Sequence, residues 1–416
     1  MLRNYPKLSV VIPTRQRADT LIYTLKTVTE QVYENLEIIV SDNASQDRTE
    51  EVVNAIQDHR IKYINTENRI GMSENWEHGL AYVTGDYVMF LGDDDGLLPN
   101  ACIDVAELIM QTNANAIIWS KADYTWPSVS HYPNMLSLNC NKSLCKINGN
   151  ILLRAISKGI TSYGRLPVIY SGFVSVAGVN SIKSCSGNFF CSITPDVYSG
   201  IVLAHQLQSY IYSLRPFSIN GGSHHSNGIN SMKKNSLSAE LFFSESKILI
   251  HEEFPIIKGS LQSCVAEAFA QAEKNKLLGS IKLDRTRIYK NLYRELVSQP
   301  YSIKMFGLKQ LSSLKLPKKL RHKLNNEMAL QSVSEQPVIK SIEKLPRDSM
   351  VLNGHLVIDC NKYAVKNAYD VCQLIGNILG PYQIPSIIVN ANAFSFALTL
   401  ISRILNRKLG KYILPF

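Results

Sequence analysis

The chain has no uninterrupted apolar run of about 18 residues, the least that a membrane-spanning helix requires. The nearest approach, Ile384 to Leu405, is broken by Asn390, Asn392 and Arg403. The opening "MLRNYPKLSVVIP" has no basic start followed by a long apolar core, so it does not read as an export signal. Eight cysteines (102, 140, 145, 185, 191, 264, 360 and 372) show no CxxC spacing, which argues against a zinc ribbon and a disulfide scaffold and for reduced thiols. Internal repeats and low-complexity tracts are absent. Acidic residues are missing from Gln299 to Asn326, where seven Lys or Arg stand, so the formal charge of +10 is concentrated locally and is not a nucleic-acid signature. We therefore expect a cytoplasmic protein, soluble or peripheral on the inner face of the membrane, with reduced thiols.

What is present is the material of a globular protein of two or three domains: 416 residues, 45% hydrophobic. The first 120 or so alternate short β-branched runs with helix-spaced apolar residues, the pattern of parallel strands joined by crossover helices. Strands are predicted at Leu8 to Ile12, Leu36 to Ser41, Ile61 to Ile64, Asp86 to Leu91 and Ala116 to Ser120. Leu21, Leu25, Val28 and Val32 recur at helical spacing, as do Val52 and Ile56, and then Trp76, Leu80 and Val83. Ser45 and Ser73 are placed as helix N-caps and Pro99 as a first helical residue. The expected fold class is α/β.

In such a sheet, ligands bind beyond the carboxyl ends of the strands. Three polar clusters fall there: "PTRQR" after the first strand, "SDNASQD" after the second and "FLGDDDGLLP" after the fourth. Adjacent Asp93, Asp94 and Asp95 repel one another, so their crowding calls for a cation.

Four motifs in order, "SVVIPTRQRADTLIYTLKTV", "EIIVSDNASQDRTEEVV", "NRIGMSENWEHGLAYVTGDYVMFLGDDDGLLP" and "TPDVYSG", resemble those of bacterial family 2 glycosyltransferases, closest to the abequosyltransferase-like group that builds surface polysaccharide. The likeness is good over residues 7–125, weaker to 235 and absent beyond. It implies a glycosyltransferase A-type fold: a mostly parallel nucleotide-sugar-binding sheet flanked by helices. The activity implied is metal-dependent, inverting sugar transfer from a nucleotide-diphosphate donor to a saccharide hydroxyl, in O-antigen or capsule synthesis. Pro13, Thr14 and Arg15 match the donor-binding loop, Asp42 the base or ribose contact, and Asn68, Gly71 and Asn75 the N-x-x-G-x-x-x-N stretch. Gly92 stands where many members have Asp, which moves the ribose contact to Asp93 and leaves Asp94, with Asp95 beside it, for Mn2+ or Mg2+. In "GGSHHSNG", His225 rather than His224 is the candidate for a further metal contact. Asp196 is the candidate catalytic base.

Each assignment has a plainer alternative: Asp42 as a turn residue, Asn75 as an ordinary helix residue, Asp196 as a helix cap. Two other functional classes also remain, an inactive sugar-binding or scaffold subunit and a nucleotidyltransferase, although "PTRQR" replaces the glycine-rich loop of the latter.

The remaining expectations concern organisation. Residues 1–125 would form the nucleotide-sugar half, 126–235 the acceptor and catalytic half, 236–346 a basic helical region and 347–416 a small α/β module. That module would open on a hairpin turning at Asn353-Gly354. Within 304–324, Lys304, Lys309, Lys315, Lys318, Lys319, Arg321 and Lys323 alternate with leucines, a pattern that suits an anionic membrane surface and a lipid-linked acceptor.

Overall fold

The computed structural model describes residues 5–130, 132–224, 244–257, 260–330, 349–352, 355–385 and 388–390. The β-branched runs form β1 (Leu8–Thr14), β2 (Leu36–Asp42), β3 (Ile61–Asn65), β4 (Tyr87–Phe90) and, after the short β5 (Gly96–Leu97), β6 (Ala116–Trp119). Between them lie α1 (Ala18–Thr29), α2 (Thr49–Asn54), α3 (Met72–Leu80) and α4 (Ala101–Thr112). Val11 and Ile39 pack on one side of the sheet with Trp76 and Leu80 of α3. Val10, Ile12, Ile38 and Val40 pack on the other with Leu21, Leu25 and Val28 of α1. Burial on both faces is why these strands read as continuous apolar runs. Each fully buried Leu or Val contributes on the order of 1.5–3 kcal/mol.

Several local expectations fail for identifiable reasons. Ser45 is not a cap: α2 starts later, with Arg48 in the N-cap position, and the Ser45 hydroxyl instead accepts from the Gln16 amide at 2.8 Å. Ser73 lies inside α3, behind Gly71, and donates to the Ser192 carbonyl at 2.6 Å. Pro99 precedes an Asn100 cap with φ of 64°, and Val32, beyond α1, is 79% exposed. Ser45 and Ser73 were claimed by partners distant in sequence.

The chain continues through β7 (Ala122–Thr125), β8 (Met135–Asn139), β9 (Leu144–Asn148), α5 (Gly149–Ser157), β10 (Gly172–Ser175), α6 (Val176–Ser186), α7 (Pro195–Leu207), β11 (Ser209–Ser213) and β12 (Ser218–Gly222). Later come α8 (Leu261–Lys274), α9 (Arg285–Val297), α10 (Tyr301–Ser312), α11 (Lys318–Leu330), β13 (Ser349–Leu352), β14 (His355–Asp359), α12 (Ala368–Leu379) and β15 (Ile388–Asn390). A nine-stranded sheet runs β15-β9-β11-β6-β10-β4-β1-β2-β3. Its β1, β2, β3 and β4 ladders are parallel, while β10 runs antiparallel to both β4 and β6. Because β2 and β4 flank β1 on opposite sides, the direction of travel across the sheet reverses at β1, which opens a crevice there.

A six-stranded sheet, β13-β14-β8-β7-β12-β5, lies over the carboxyl end of β4, since β5 follows the triple aspartate. The described residues of 349–352, 355–385 and 388–390 join the two sheets and their cores. The β13-β14 hairpin extends β8, β15 extends β9, and α12 packs on α1 and closes the second sheet's core. A two-stranded hairpin alone buries too little to stand, so it completes a neighbouring sheet instead. Leu352 pairs with His355, as the expected two-residue turn requires, although Asn353 and Gly354 lie outside the described residues.

The four helices α8–α11 pack through their apolar faces onto α7 and one another. Lys304, Leu308, Leu311, Leu316, Leu320 and Leu324 are buried, and Lys304 pairs with Glu327 at 2.7 Å. The leucines are therefore core, not lipid-facing. Lys309, Lys315, Lys318, Lys319, Arg321 and Lys323 remain exposed. Among the described residues no helix is long and apolar enough to cross a membrane.

Candidate functional site

β4 delivers Leu91 and Gly92 to the rim of the crevice, and the chain then turns, with the Asp95 amide donating to the Gly92 carbonyl at 3.1 Å. A Cβ at position 92 would lie 2.2 Å from the Tyr170 hydroxyl and 3.1 Å from an Asp95 carboxylate oxygen, so glycine is required by the crowding.

The three carboxylates that follow are all buried and point to different partners. Asp93 accepts from the Arg17 guanidinium at 2.7 Å. Asp94 accepts from the Ser223 hydroxyl at 2.6 Å, while its carbonyl accepts from the Trp126 indole at 2.9 Å. Asp95 is fully buried; Oδ1 accepts from the Gly221 amide at 2.6 Å, and Oδ2 from Lys121 Nζ at 3.2 Å and the Gly92 amide at 3.3 Å. Thr24 of α1 donates to the Asp95 carbonyl at 2.7 Å. The turn thus ties β4 to α1 and to the second sheet.

Two of the cations that the triple aspartate calls for come from the chain itself. Burial disfavours the Arg17 charge, but Asp93 and Asp94 outweigh it and its pKa rises. For Lys121, burial wins over the attraction of Asp95 and the pKa falls. Lys121 Nζ also sits 3.4 Å above the Tyr170 ring, whose hydroxyl is pushed well up by burial and by Asp95 and Asp94. Asp94 is pushed up to about 6, by burial first and then by Asp93 and Asp95, against the opposing pull of Arg17 and Ser223.

The other expected site residues divide. Thr14 Oγ1 is buried at the end of β1 with no hydrogen-bond partner among the described residues. Asp42, directly across from Thr14 on β2, is 1% exposed. Its Oδ1 accepts from the Ser45 amide at 3.0 Å, which makes it a turn residue as well, and its Oδ2 from the Tyr63 hydroxyl at 2.6 Å. Pro13 is half-buried beside them and Asn68 is exposed on the loop after β3. Arg15 turns away from the aspartates to Glu245, at 2.5 Å.

Two expected site residues are engaged by the chain itself. From within α3, Asn75 accepts from the Ser41 hydroxyl at 2.8 Å and donates to the Ser41 carbonyl at 3.2 Å, fastening α3 to β2. Asp95 does not present a free carboxylate to a metal, because both oxygens are engaged by interior donors. His225 lies outside the described residues; His224 is exposed, its Nδ1 3.0 Å from the Ser128 hydroxyl.

Asp196 sits in the first turn of α7, but Thr194 holds the N-cap position, so Asp196 does not fill the cap. Burial raises its pKa, opposed by its own and the Val197 amides and by Lys121. Lys121 therefore lies within electrostatic reach of both Asp95 and Asp196, joining the aspartate turn to α7. Sequence reasoning missed Arg17, Lys121, Tyr170 and Ser223. Arg17, the second arginine of "PTRQR", and Ser223, the first serine of "GGSHHSNG", lay inside stretches already singled out; Lys121 and Tyr170 did not.

Residues 9–164 match Glycosyl transferase family 2. The chain is 44% identical over 99 residues to the Campylobacter jejuni GalNAc(5)-diNAcBac-PP-undecaprenol beta-1,3-glucosyltransferase, covering 23% of this chain and 32% of that one. It is 23% identical over 190 residues to the Escherichia coli UDP-Glc:alpha-D-GlcNAc-diphosphoundecaprenol beta-1,3-glucosyltransferase WfgD, covering 44% and 75%. Thus the chain spans about a third of the length of the first of these relatives. Among solved structures, S. aureus TarS 1-349 in complex with UDP-GlcNAc aligns at a TM-score of 0.43 and 14% identity, over 84% of this chain and 95% of that one. The likeness to Glycosyl transferase family 2 thus lies in residues 9–164, which include the Asp93–Asp95 turn at the crevice.

Proposed function

We propose that the protein transfers a sugar from a nucleotide-diphosphate donor to a hydroxyl of a saccharide acceptor with inversion, in bacterial surface polysaccharide synthesis. The observation that carries this reading is the buried aspartate turn at the crevice of a domain that matches family 2, tied in place by Arg17 and Lys121. The nucleoside would lie over the ends of β1 and β2, where the unspent Thr14 hydroxyl and Asp42 stand and Asn68 borders the loop. Asp93, oriented by Arg17, faces the ribose.

Among the described residues no group of three or more His, Cys, Asp or Glu is gathered as a metal site. The donor chemistry nevertheless fits a hard divalent cation such as Mn2+ or Mg2+: Asp94 is an oxygen ligand whose burial and acidic neighbours disfavour its charge. Asp94 would hold the ion, with His225 as a further candidate, and the ion would take up charge on the departing diphosphate.

Asp196 acts as the base. Its carboxylate takes the proton from the acceptor hydroxyl as that oxygen bonds to the anomeric carbon and the bond to the diphosphate oxygen breaks. Lys121 keeps Asp196 ionised against the cost of burial. Asp95 positions the turn and does not touch substrate.

The acceptor is a lipid-linked saccharide, the class named in the undecaprenol-acting relatives. The exposed bases of α10 and α11 and the half-exposed Phe306 give the protein an electrostatic contact with anionic lipid.

The test is a thermal-shift screen of nucleoside diphosphates and their sugars with Mn2+, followed by transfer to polyprenyl-diphosphate saccharides. A donor should raise the melting temperature by mass action and yield product of inverted configuration. Binding without turnover on any acceptor would favour a sugar-binding subunit, and no binding would overturn the reading.

A further inference from the structure

The nucleotide half of the crevice is not bare. Arg15 follows β1 and Arg69 follows β3, on either side of Asp42 at the end of β2. Both arginines close on one carboxylate from far along the chain: Glu245 Oε2 lies 2.5 Å from Arg15 Nη1, and Oε1 lies 2.6 Å from Arg69 Nη2. A single side chain therefore spans the loops that flank the end of β2.

The residues next to Glu245 are fastened at the start of α3. The Lys247 amide donates to Glu74 Oε1 at 2.6 Å, and the Ser246 hydroxyl approaches Glu74 Oε1 and Oε2 at 3.2 and 3.4 Å. The strap lies so close that a Cβ on Gly71 would come 2.7 Å from Ser246 Cα. At this position the glycine makes room for the strap and for the Glu74 carboxylate.

The contact is held by chemistry that can be exchanged. The Glu245 side chain is 15% exposed, but Arg15 is 32% and Arg69 50% exposed, and ion pairs of that kind hold weakly. Guanidinium forks bind carboxylate and phosphate oxygens alike. A diphosphate offers more charge and more oxygens than one carboxylate does.

We propose that Arg15 and Arg69 form an anion cradle that Glu245 fills in the empty chain, and that a nucleoside diphosphate takes the cradle by displacing Glu245 and the strap at 244–248. The inference rests on the nucleotide-sugar reading above and adds to it a ligand-operated latch. Arg69 becomes a phosphate contact, and Glu245 sets how tightly donor and leaving group are held.

The experiment uses the full chain and its Glu245→Gln variant, which keeps the side chain's size and removes its charge. Binding of UDP, GDP, CDP and dTDP with Mn2+ is measured by calorimetry, and tryptic cleavage after Lys247 is followed by mass spectrometry. The variant should bind the preferred nucleotide roughly three- to tenfold more tightly, the size of the partly exposed ion pairs given up. Lys247 should be cut faster in the unliganded variant than in the wild type, and faster in the wild type once nucleotide is added. Binding by both chains with equal or weaker affinity in the variant, or cleavage that nucleotide does not change, overturns the latch and leaves the nucleotide reading standing. Binding by neither overturns the nucleotide reading, and the latch with it.

Discussion

Replacing Lys121 by Met tests whether the aspartate turn is held by an interior ion pair. The Lys121 side chain is 9% exposed and that of Asp95 is 0% exposed, so solvent screens the pair very little. Met matches the length of the aliphatic stem and leaves the Asp95 charge facing an apolar group. Removing one partner of a buried pair costs about 3–5 kcal/mol. Asp95 keeps the Gly221 and Gly92 amides, so the lower end, about 3 kcal/mol, is the expected loss. The converse change should cost less. In Asp95→Asn the stranded lysine already has a burial-lowered pKa and can shed its proton, so roughly 1–2 kcal/mol is expected. The double variant should lose less than the sum of the two, with a coupling of about 1 kcal/mol or more. Urea unfolding followed by tryptophan fluorescence reads all four corners, since Trp119 and Trp126 bracket Lys121 in sequence. If Lys121→Met stays within about 1 kcal/mol of the wild type, or the two changes simply add, the pair does not hold the turn and the argument fails.

Asp196→Asn should retain donor binding and melting temperature while turnover falls roughly 10²–10⁴-fold; a near-normal rate would remove Asp196 from the chemistry. Because burial raises its pKa and the base works deprotonated, wild-type activity should fall on acidification at a pH above the ordinary aspartate range, and that limb should vanish in the variant. Asp94→Ala should abolish the stimulation of transfer by Mn2+ with the fold intact, and undiminished transfer in chelator would refute a metal role. Gly92→Ala should cost about 1–3 kcal/mol by overpacking against Tyr170, and Tyr170→Phe in the same chain should recover part of it; two independent, additive losses would count against the clash. Charge reversal at Lys318, Lys319 and Arg321 should reduce flotation with anionic liposomes and not with neutral ones, and equal recovery in both would exclude an electrostatic contact.

The sequence by itself determined the alternation of strands and helices over the first 120 residues and the polar clusters that end its strands. Strands buried on both faces must be continuously apolar, and polar punctuation must follow where they end, so β1–β4, β6 and the clusters at Thr14, Asp42 and Asp93 could be read within a residue or two. Those signals are local. What only the tertiary structure decided is who neutralises whom. Arg17 meets Asp93 across 76 positions, Lys121 meets Asp95 across 26 and Glu245 meets Arg15 across 230. No periodicity records such pairings, because they depend on which loops the two sheets bring together. The same reason hid the contact of Asn75 with Ser41, which depends on how α3 is seated on β2. It also places the C-terminal hairpin on β8, since an edge strand accepts any partner of suitable length and only packing selects one. The sequence announced that three adjacent carboxylates need compensation; the fold decided that Asp93 meets Arg17 and that Asp95 meets Lys121.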